Sequence, residues 1–234
     1  MRNFIVTLFF SFFSISQAGA TIYIVARDPG THKTAIAAIS SGPVVSYTDC
    51  VQGKKDVGLV GWSGGFSYGW ADINSKVLAM MASGSSTSAI ENYVASQIGD
   101  GYSRYIFINA NGDIGHVFPP SGCRTPECGA IGSRSQDFFV MGGGLLPNVV
   151  RNTVAAFEPI HANQAIPLEC RILQGLQIVI AMGGEMKDFE QAKIGFNDPA
   201  KAEQQWYTST IGEAGIIDDL HEKMKASGVN CTGR

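Results

Sequence analysis

The order of apolar and polar residues predicts strands and helices that come in separate groups. A β-branched and aromatic run over residues 22–27 turns at 28–30 and returns over 34–39, which predicts a β-hairpin. The near-continuous apolar character of both runs is typical of strands that are covered on both faces. We therefore expect both strands of this hairpin to be buried.

Further strands and helices follow in the same grouped order. Strands are predicted at 57–60, 104–108, 114–118 and 138–141. Helices are predicted at 73–82, from 88, at 147–157, from 167 and at 213–226. Ser88 opens the second helix with a capping-box pattern, whereas the tail from Gly195 to the last helix shows no clear pattern. This order favours helices packed outside sheets over alternating βαβ units.

The first 20 residues have the pattern of a secretory signal peptide. Arg2 precedes an apolar run over residues 4–15, and the small residues Ala18 and Ala20 precede a cleavage site. We expect cleavage after Ala20, with cleavage after Ala18 as the alternative, and therefore a secreted or periplasmic protein. Residues 21–234 would then form one domain, and no second apolar stretch is long enough to span a bilayer.

Cleavage after Ala20 would make Thr21 the first residue of the mature chain. Its hydroxyl and a free α-amine would then form a nucleophile and a base within one residue. A terminal amine has an ordinary pKa of about 7.7–8, so a useful fraction is neutral near neutral pH. Thr21 is therefore the candidate catalytic residue.

Charge and histidine spacing limit the range of partners. The chain has 17 Lys and Arg against 20 Asp and Glu, and removal of Arg2 takes the net charge from −3 to −4. Because no basic patch occurs, we expect no nucleic-acid partner. The four histidines are His32, His116, His161 and His221. Because they share no metal-ligand spacing, we expect them at the surface, and we expect neither a metal nor a cofactor.

Five cysteines survive removal of the signal peptide, which is typical of a chain with disulfides and one thiol left over. Cys123 and Cys128 flank a tight Pro-bearing loop and are the first candidate pair. Cys170 and Cys231 would tie a helix to the tail as a second pair. No CxxC spacing accompanies them, so a zinc site is not favoured.

Two glycine-rich segments carry candidate pocket residues. The backbone N–H groups of Gly142, Gly143 and Gly144, at the end of a strand, are candidates for an oxyanion hole or form a tight turn. Ser63 lies in a G-x-S-x-G pattern, but the sequence after it is a poor helix start, unlike a nucleophile elbow. We therefore expect Ser63 and Ser67 to border the substrate pocket at Thr21 and not to act as nucleophiles.

Arg27 and Asp28 are candidate supporting charges at the end of the first strand. Strand alternation places Thr21 and Arg27 on one face and Asp28 on the other. Arg27 is six residues from Thr21, about 20 Å along an extended strand. We therefore favour an ion pair at the hairpin end over direct contact with Thr21.

Residues 21–41 (TIYIVARDPGTHKTAIAAISS) resemble the opening of domain-of-unknown-function family 1028, a bacterial branch of the N-terminal-nucleophile hydrolase superfamily. That family begins with Ser or Thr, then a strand ending in Val-Ala-Arg-Asp, a short turn and a strand of small residues. Similar segments follow at 66–69, 105–113 and 140–145, so the resemblance covers residues 21–185. It implies an α+β fold, a four-layer αββα sandwich of two antiparallel sheets flanked by helices.

The resemblance also implies an activity and a substrate class. Thr21 would attack the amide bond of a small molecule or peptide, without a cofactor. A paired-sheet fold with apolar helices often dimerises, so a homodimer is one expected state.

The chain departs from the family pattern after the strand at 138–141. The family usually reads Gln-Gly-Asn before an apolar residue and Leu, whereas this chain has Met141 followed by Gly142, Gly143 and Gly144. If that Asn donates to an oxyanion, only backbone N–H groups remain to do so. The departure favours the alternative of a catalytically inactive binding protein on the same fold. A serine hydrolase that uses Ser63 is a third option.

Overall fold

The computed structural model describes residues 21–41, 50–64, 69–98, 103–118, 129–183 and 189–231. This part of the chain forms ten strands and five helices. The strands are β1 (Thr21–Arg27), β2 (Thr34–Ser40), β3 (Val51–Lys54), β4 (Gly58–Ser63), β5 (Arg104–Asn109), β6 (Ile114–Val117), β7 (Gly129–Gly132), β8 (Phe138–Gly143), β9 (Gln191–Asn197) and β10 (Gln205–Ser209). The helices are α1 (Trp70–Ala82), α2 (Thr87–Gln97), α3 (Val149–Ala162), α4 (Leu168–Ala181) and α5 (Glu213–Ala226).

The strands form two antiparallel sheets, as expected for an α+β fold. The larger sheet has the order β10-β9-β2-β1-β8-β7, and the smaller has the order β3-β4-β5-β6. The expected hairpin is confirmed, because β1 pairs with β2 from Thr21 opposite Ser40 to Arg27 opposite Thr34. Its other neighbour is β8. β1 is therefore a central strand.

Alternate residues of β1 pack into two different apolar cores. Ile22 and Ile24 belong to a core that β1 shares with α3, α4 and α5. Tyr23 and Val25 belong to a core shared with the smaller sheet, α1 and α2. A Cβ atom at Gly61 of β4 would lie 2.8 Å from the Tyr23 ring, so the two sheets approach closely. The near-continuous apolar pattern of β1 arises because both of its faces are covered.

The structure corrects the predicted reading of the tail. β9 and β10 extend the larger sheet beyond β2, with β10 at its edge, although the sequence pattern predicted no strand over residues 191–209. Ala192, Ile194 and Phe196 of β9 do alternate into the core. On the other face of β9, Gly195 has no side chain that could continue an apolar pattern. It lies opposite Trp206 of β10, and a Cβ atom at Gly195 would lie within 2.6 Å of the indole ring. The Trp206 ring therefore covers the position that lacks a side chain.

Several helix ends also differ from the sequence prediction, and those of α2 and α3 have a clear physical reason. The N-cap of α2 is Ser86, not Ser88, and its hydroxyl accepts a hydrogen bond from the N–H of Ala89 at 3.2 Å. Helix α3 continues past Phe157 through Pro159 to Ala162. The extra turn brings His161 against the ring of Phe138, with centroids 5.2 Å apart. Packing outweighs the unfavourable proline in this turn.

A disulfide joins Cys170 of α4 to Cys231 after α5, as the sequence predicted. The two cysteines are 61 residues apart. Cys123 and Cys128 lie outside the described residues, and Cys50 is buried in the core between the sheets. The disulfide fixes the tail against the helices that cover β1.

We expect the double variant Cys170→Ser/Cys231→Ser to lose about 4 kcal/mol of unfolding free energy, because an unfolded chain without this cross-link gains loop entropy. For a chain of this size that loss lowers the Tm by about 10 °C. Thermal unfolding with and without reductant measures it. The double variant in reductant is the control, because any further loss of Tm there would come from other disulfides. Equal Tm values for the wild type and the double variant would contradict the prediction.

Candidate active site at the start of the central strand

Thr21 is the first residue of β1 and lies between two strands of the larger sheet. Ser40 of β2 is its partner on one side and Gly143 of β8 its partner on the other. Thr21 is fully buried in the full-length chain. Its Oγ1 is 3.0 Å from the Oγ of Ser40, and either hydroxyl can donate.

The side chain of Thr21 points toward the smaller sheet. Tyr23, two residues further along the strand, packs in the core between the sheets, and strand residues two apart share a face. Ser40 lies on the same face of β2, since its hydroxyl meets that of Thr21. The candidate nucleophile is therefore at one end of the space between the sheets.

The predicted glycine run lies directly beside Thr21. Gly143 is opposite Thr21, and Gly142 is opposite Ile22. A Cβ atom at Gly142 would lie 3.2 Å from the carbonyl oxygen of Thr21. Gly144 has a φ of 75°, which favours glycine. The glycines therefore let β8 pass close to Thr21 and then turn away.

Arg104, a residue that sequence reasoning did not single out, faces Gly143 from the smaller sheet. It is the first residue of β5 and is only 2% exposed. A Cβ atom at residue 143 would lie 2.7 Å from both Nε and Nη2 of Arg104, so the guanidinium occupies the space of the missing side chain. The available signal was a charged residue that opens an otherwise apolar strand.

Ser63 is connected to this site through Arg104. It is the last residue of β4, pairs with Arg104 and is 2% exposed. The Nη1 of Arg104 donates to the Oγ of Ser63 at 3.3 Å. Ser63 therefore contacts Arg104, and its place at a pocket around Thr21 stays a prediction, whereas Ser67 lies outside the described residues.

A small recess adjoins Ser40 on the side away from Gly143. Gln191 of β9 is the strand partner of Ser40 and is 5% exposed. Cys50 and Lys193 also line the recess, and the Lys193 ammonium donates to the carbonyl of Val51 at 2.8 Å. Polar side chains thus lie on both sides of the Thr21–Ser40 pair, with Arg104 beside Gly143 and Lys193 at the recess next to Ser40.

Tyr105, next to Arg104 in the chain, belongs to the helix side of the smaller sheet. Its hydroxyl donates to Oδ1 of Asn74 in α1 at 2.8 Å. Burial raises the pKa of Tyr105 well above its ordinary value of 10.0, so its phenol stays neutral. It is not a candidate base for Thr21.

Arg27 and Asp28 lie at the opposite end of β1 and do not meet Thr21. Arg27 Nε is 2.6 Å from Oδ1 of Asp137, which is the expected ion pair at the hairpin end. Asp28 instead pairs with the fully buried Arg171 of α4. Its Oδ1 also accepts from the backbone N–H of Gly30 at 2.9 Å. Both residues stabilise the hairpin and do not supply charge to the site.

His161 lies near this buried ion pair, so the expectation of a surface histidine is wrong for this residue. It is 3% exposed, and its backbone carbonyl accepts from Nη1 of Arg171 at 2.7 Å. Burial and the Arg171 cation lower its pKa to about 4, although the carboxylates of Asp137 and Asp28 oppose the shift. The imidazole is therefore neutral at neutral pH.

We expect His161 to make the fold sensitive to acid. The unfolded chain binds a proton near pH 6.5 and the folded chain near pH 4, so stability falls as the pH falls through this window. The loss is about 3 kcal/mol. Denaturant unfolding at pH 7 and pH 4 measures it, and His161→Phe, which keeps a ring among the phenylalanines, should remove that part of the loss. Identical losses in wild type and variant would contradict the assignment.

Comparison with known protein families gives one family match. The sequence model of a family described as "Family of unknown function (DUF1028)" matches residues 21–210. The chain belongs to the DUF1028 family. The match begins at the same residue as β1.

One solved structure of a DUF1028 protein is similar along most of its length. The crystal structure of protein SPO2555 from Silicibacter pomeroyi has a TM-score of 0.73 and 17% identity, and the match covers 90% of each chain. Eukaryotic HslV from Trypanosoma brucei has a TM-score of 0.46 and 8% identity, over 76% of this chain and 99% of that one. Comparison with curated proteins gives no match. The SPO2555 similarity shows a shared fold.

Two further properties concern the described residues alone. None of their helices is long and apolar enough to cross a membrane. They contain no group of three or more His, Cys, Asp or Glu residues arranged to hold a metal ion.

Proposed function

We propose that this DUF1028 protein is a hydrolase of amide bonds in which Thr21, as the first residue of the mature chain, is the nucleophile. The observation that carries the proposal is the position of Thr21 at the start of a central strand, with its hydroxyl 3.0 Å from Ser40 and a glycine run beside it. A nucleophile at a strand end beside backbone N–H donors has the parts that acyl transfer needs.

Processing would complete the site. Residues 1–20 carry the signal-peptide pattern, and cleavage after Ala20 turns the peptide nitrogen of Thr21 into an amine. The Cys170–Cys231 disulfide is compatible with the oxidising compartment that a secreted or periplasmic protein reaches. In this proposal the two sheets and their helices form the four-layer αββα sandwich of N-terminal-nucleophile hydrolases.

The reaction needs only groups of this chain and water. The α-amine takes the proton of Oγ1 as this oxygen attacks the carbonyl carbon of the substrate. The resulting tetrahedral intermediate expels the amine product, which takes the proton back from the Thr21 ammonium. Water then attacks the ester on Oγ1 with the same amine as base, which releases the acid and restores Thr21.

Backbone N–H groups of the glycine run are the proposed donors to the oxyanion. Gly143 lies opposite Thr21, and Gly144 turns the chain with a positive φ, so N–H groups can point toward the reacting carbonyl. The hydroxyl of Ser40 orients Oγ1 of Thr21.

Ser63 is a poorer nucleophile candidate. Its Oγ accepts a hydrogen bond from Arg104, and a guanidinium cannot take a proton in return. A base that could activate Ser63 would have to come from outside this pair.

A peptide epoxyketone tests the proposal, because its ring-forming reaction requires both a hydroxyl and an amine on one residue. We expect the mature protein to form an adduct that peptide mass spectrometry places on Thr21. Thr21→Ala is the matched control and should stay unlabelled. An unlabelled mature protein would favour the binding-protein alternative, and labelling of Ser63 by a fluorophosphonate would favour the serine hydrolase.

A further inference from the structure

We infer that Arg104 is a positioning residue for the Thr21 site: its buried cation, admitted by the glycine at position 143, keeps the Thr21 amine in its neutral, proton-accepting form. This inference rests on the proposed function. It assigns a role to the first residue of β5, on the smaller sheet, whose guanidinium faces Gly143 of the larger sheet.

Arg104 of the smaller sheet meets Gly143 of the larger sheet. Any side chain at position 143 would overlap the guanidinium, since its Cβ would lie 2.7 Å from Nε and Nη2. Ser63 holds Nη1 from the other side at 3.3 Å. The guanidinium thus lies between Gly143 of β8 in the larger sheet and Ser63 of β4 in the smaller sheet.

Arg104 also lies close to Thr21, because Gly143 is the strand partner of Thr21. Residues directly opposite in an antiparallel pair have Cβ positions about 5 Å apart, and Gly143 is directly opposite Thr21. Because guanidinium atoms lie 2.7 Å from the Cβ position of Gly143, the Arg104 charge lies within about 8 Å of the Cβ atom of Thr21. A like charge at this distance disfavours the ammonium form of an amine and lowers its pKa.

Among the described residues, three further titratable groups lie beside Ser40, the strand neighbour of Thr21 on the side away from Gly143. Cys50 and Lys193 line the recess on the β9 side, and the backbone N–H of Glu190 donates to the Ser40 carbonyl. Lys193 would act in the same direction as Arg104 and Glu190 in the opposite one. The Arg104 contribution is therefore measured as a difference between variants.

The test is the pKa of the Thr21 amine in the mature protein, read from the pH dependence of its acylation by acetic anhydride and quantified on the N-terminal peptide. We expect Arg104→Gln to raise this pKa by about one to two pH units. The acid limb of kcat/KM for amide hydrolysis should move upward by the same amount. Arg104→Lys should restore most of the wild-type value, and Arg27→Gln, at the far end of β1, should change neither.

Gly143→Ala approaches the same contact from the other strand. Its methyl group displaces the guanidinium, so it should shift the amine pKa in the same direction as Arg104→Gln, and the double variant should show no further shift. This variant also keeps the inference testable if Arg104→Gln does not fold.

The outcomes separate the two proposals. Unchanged amine pKa values in Arg104→Gln and Gly143→Ala, with hydrolysis still dependent on Thr21, would overturn this inference alone. A mature chain without an N-terminal Thr21 would overturn the proposed function and this inference together.

Discussion

Replacing Thr21 by alanine is expected to lower kcat/KM for amide hydrolysis by about 10⁴-fold or more, because the variant keeps an amine but has no oxygen to form the acyl-enzyme. Thr21→Ser keeps the hydroxyl and is expected to retain activity within about tenfold. The measurement is amine release from a panel of N-acyl amino acids and short peptide amides by the mature protein.

Two controls separate chemistry from folding. Thr21→Ala loses one buried hydroxyl and a methyl group, so its Tm should stay within a few degrees of wild type, at a cost of about 1–2 kcal/mol. A protein that retains Gly19 and Ala20 before Thr21 has the hydroxyl but no free amine on that residue, and should be inactive. Activity of Thr21→Ala within tenfold of wild type would exclude Thr21 as the nucleophile.

The second large effect is on stability. Arg171→Met is expected to lower the free energy of unfolding by about 3–5 kcal/mol, since it leaves the carboxylate of Asp28 buried without its ion-pair partner. It also removes the hydrogen bond from Nη1 to the His161 carbonyl. Denaturant unfolding with the disulfide intact measures the change.

Arg27→Met is the matched control, because it breaks an ion pair at the same end of β1 whose arginine is 35% exposed. We expect it to cost less than about 1 kcal/mol. The double variant Asp28→Asn/Arg171→Met, which removes both buried charges, should recover part of the loss of the single variant. A similar cost for Arg171→Met and Arg27→Met would show that the buried pair contributes no more than the surface pair.

The sequence predicts the hairpin that begins at Thr21 and the last helix, for local reasons. The β1–β2 hairpin follows from two apolar runs around a turn in which Asp28 accepts from Gly30. Helix α5 spans the predicted residues 213–226, because its apolar positions recur at helical spacing. The glycine run at the end of β8 is also visible as a pattern. These features depend on neighbours along the chain.

The position of Arg104 beside Gly143 depends on contacts between the sheets, which a single sequence does not reveal. The pattern at 104–108 predicts a strand, but not which end of the larger sheet its first residue faces. The absence of a side chain at Gly143 suggested that only backbone donors remain near Thr21. The structure instead places a guanidinium from the other sheet in that space.

The tail shows a second limit. Lys193 and Gly195 interrupt the apolar pattern of β9, and both are explained by Trp206 of the neighbouring strand. The ammonium of Lys193 lies 4.8 Å from the centre of the Trp206 ring, and the ring covers Gly195. Because Trp206 of β10 covers one face of β9, the sequence of β9 alone does not show the alternating pattern of a buried strand.

The mass of the mature N-terminal peptide tests the central claim most directly. Protein exported by a bacterial host and purified without a tag at the N-terminus should yield a first peptide that begins at Thr21 with a free α-amine. A first peptide that begins at Gly19, or at any residue other than Thr21, would contradict the account, because Thr21 would then have no amine to act as its base.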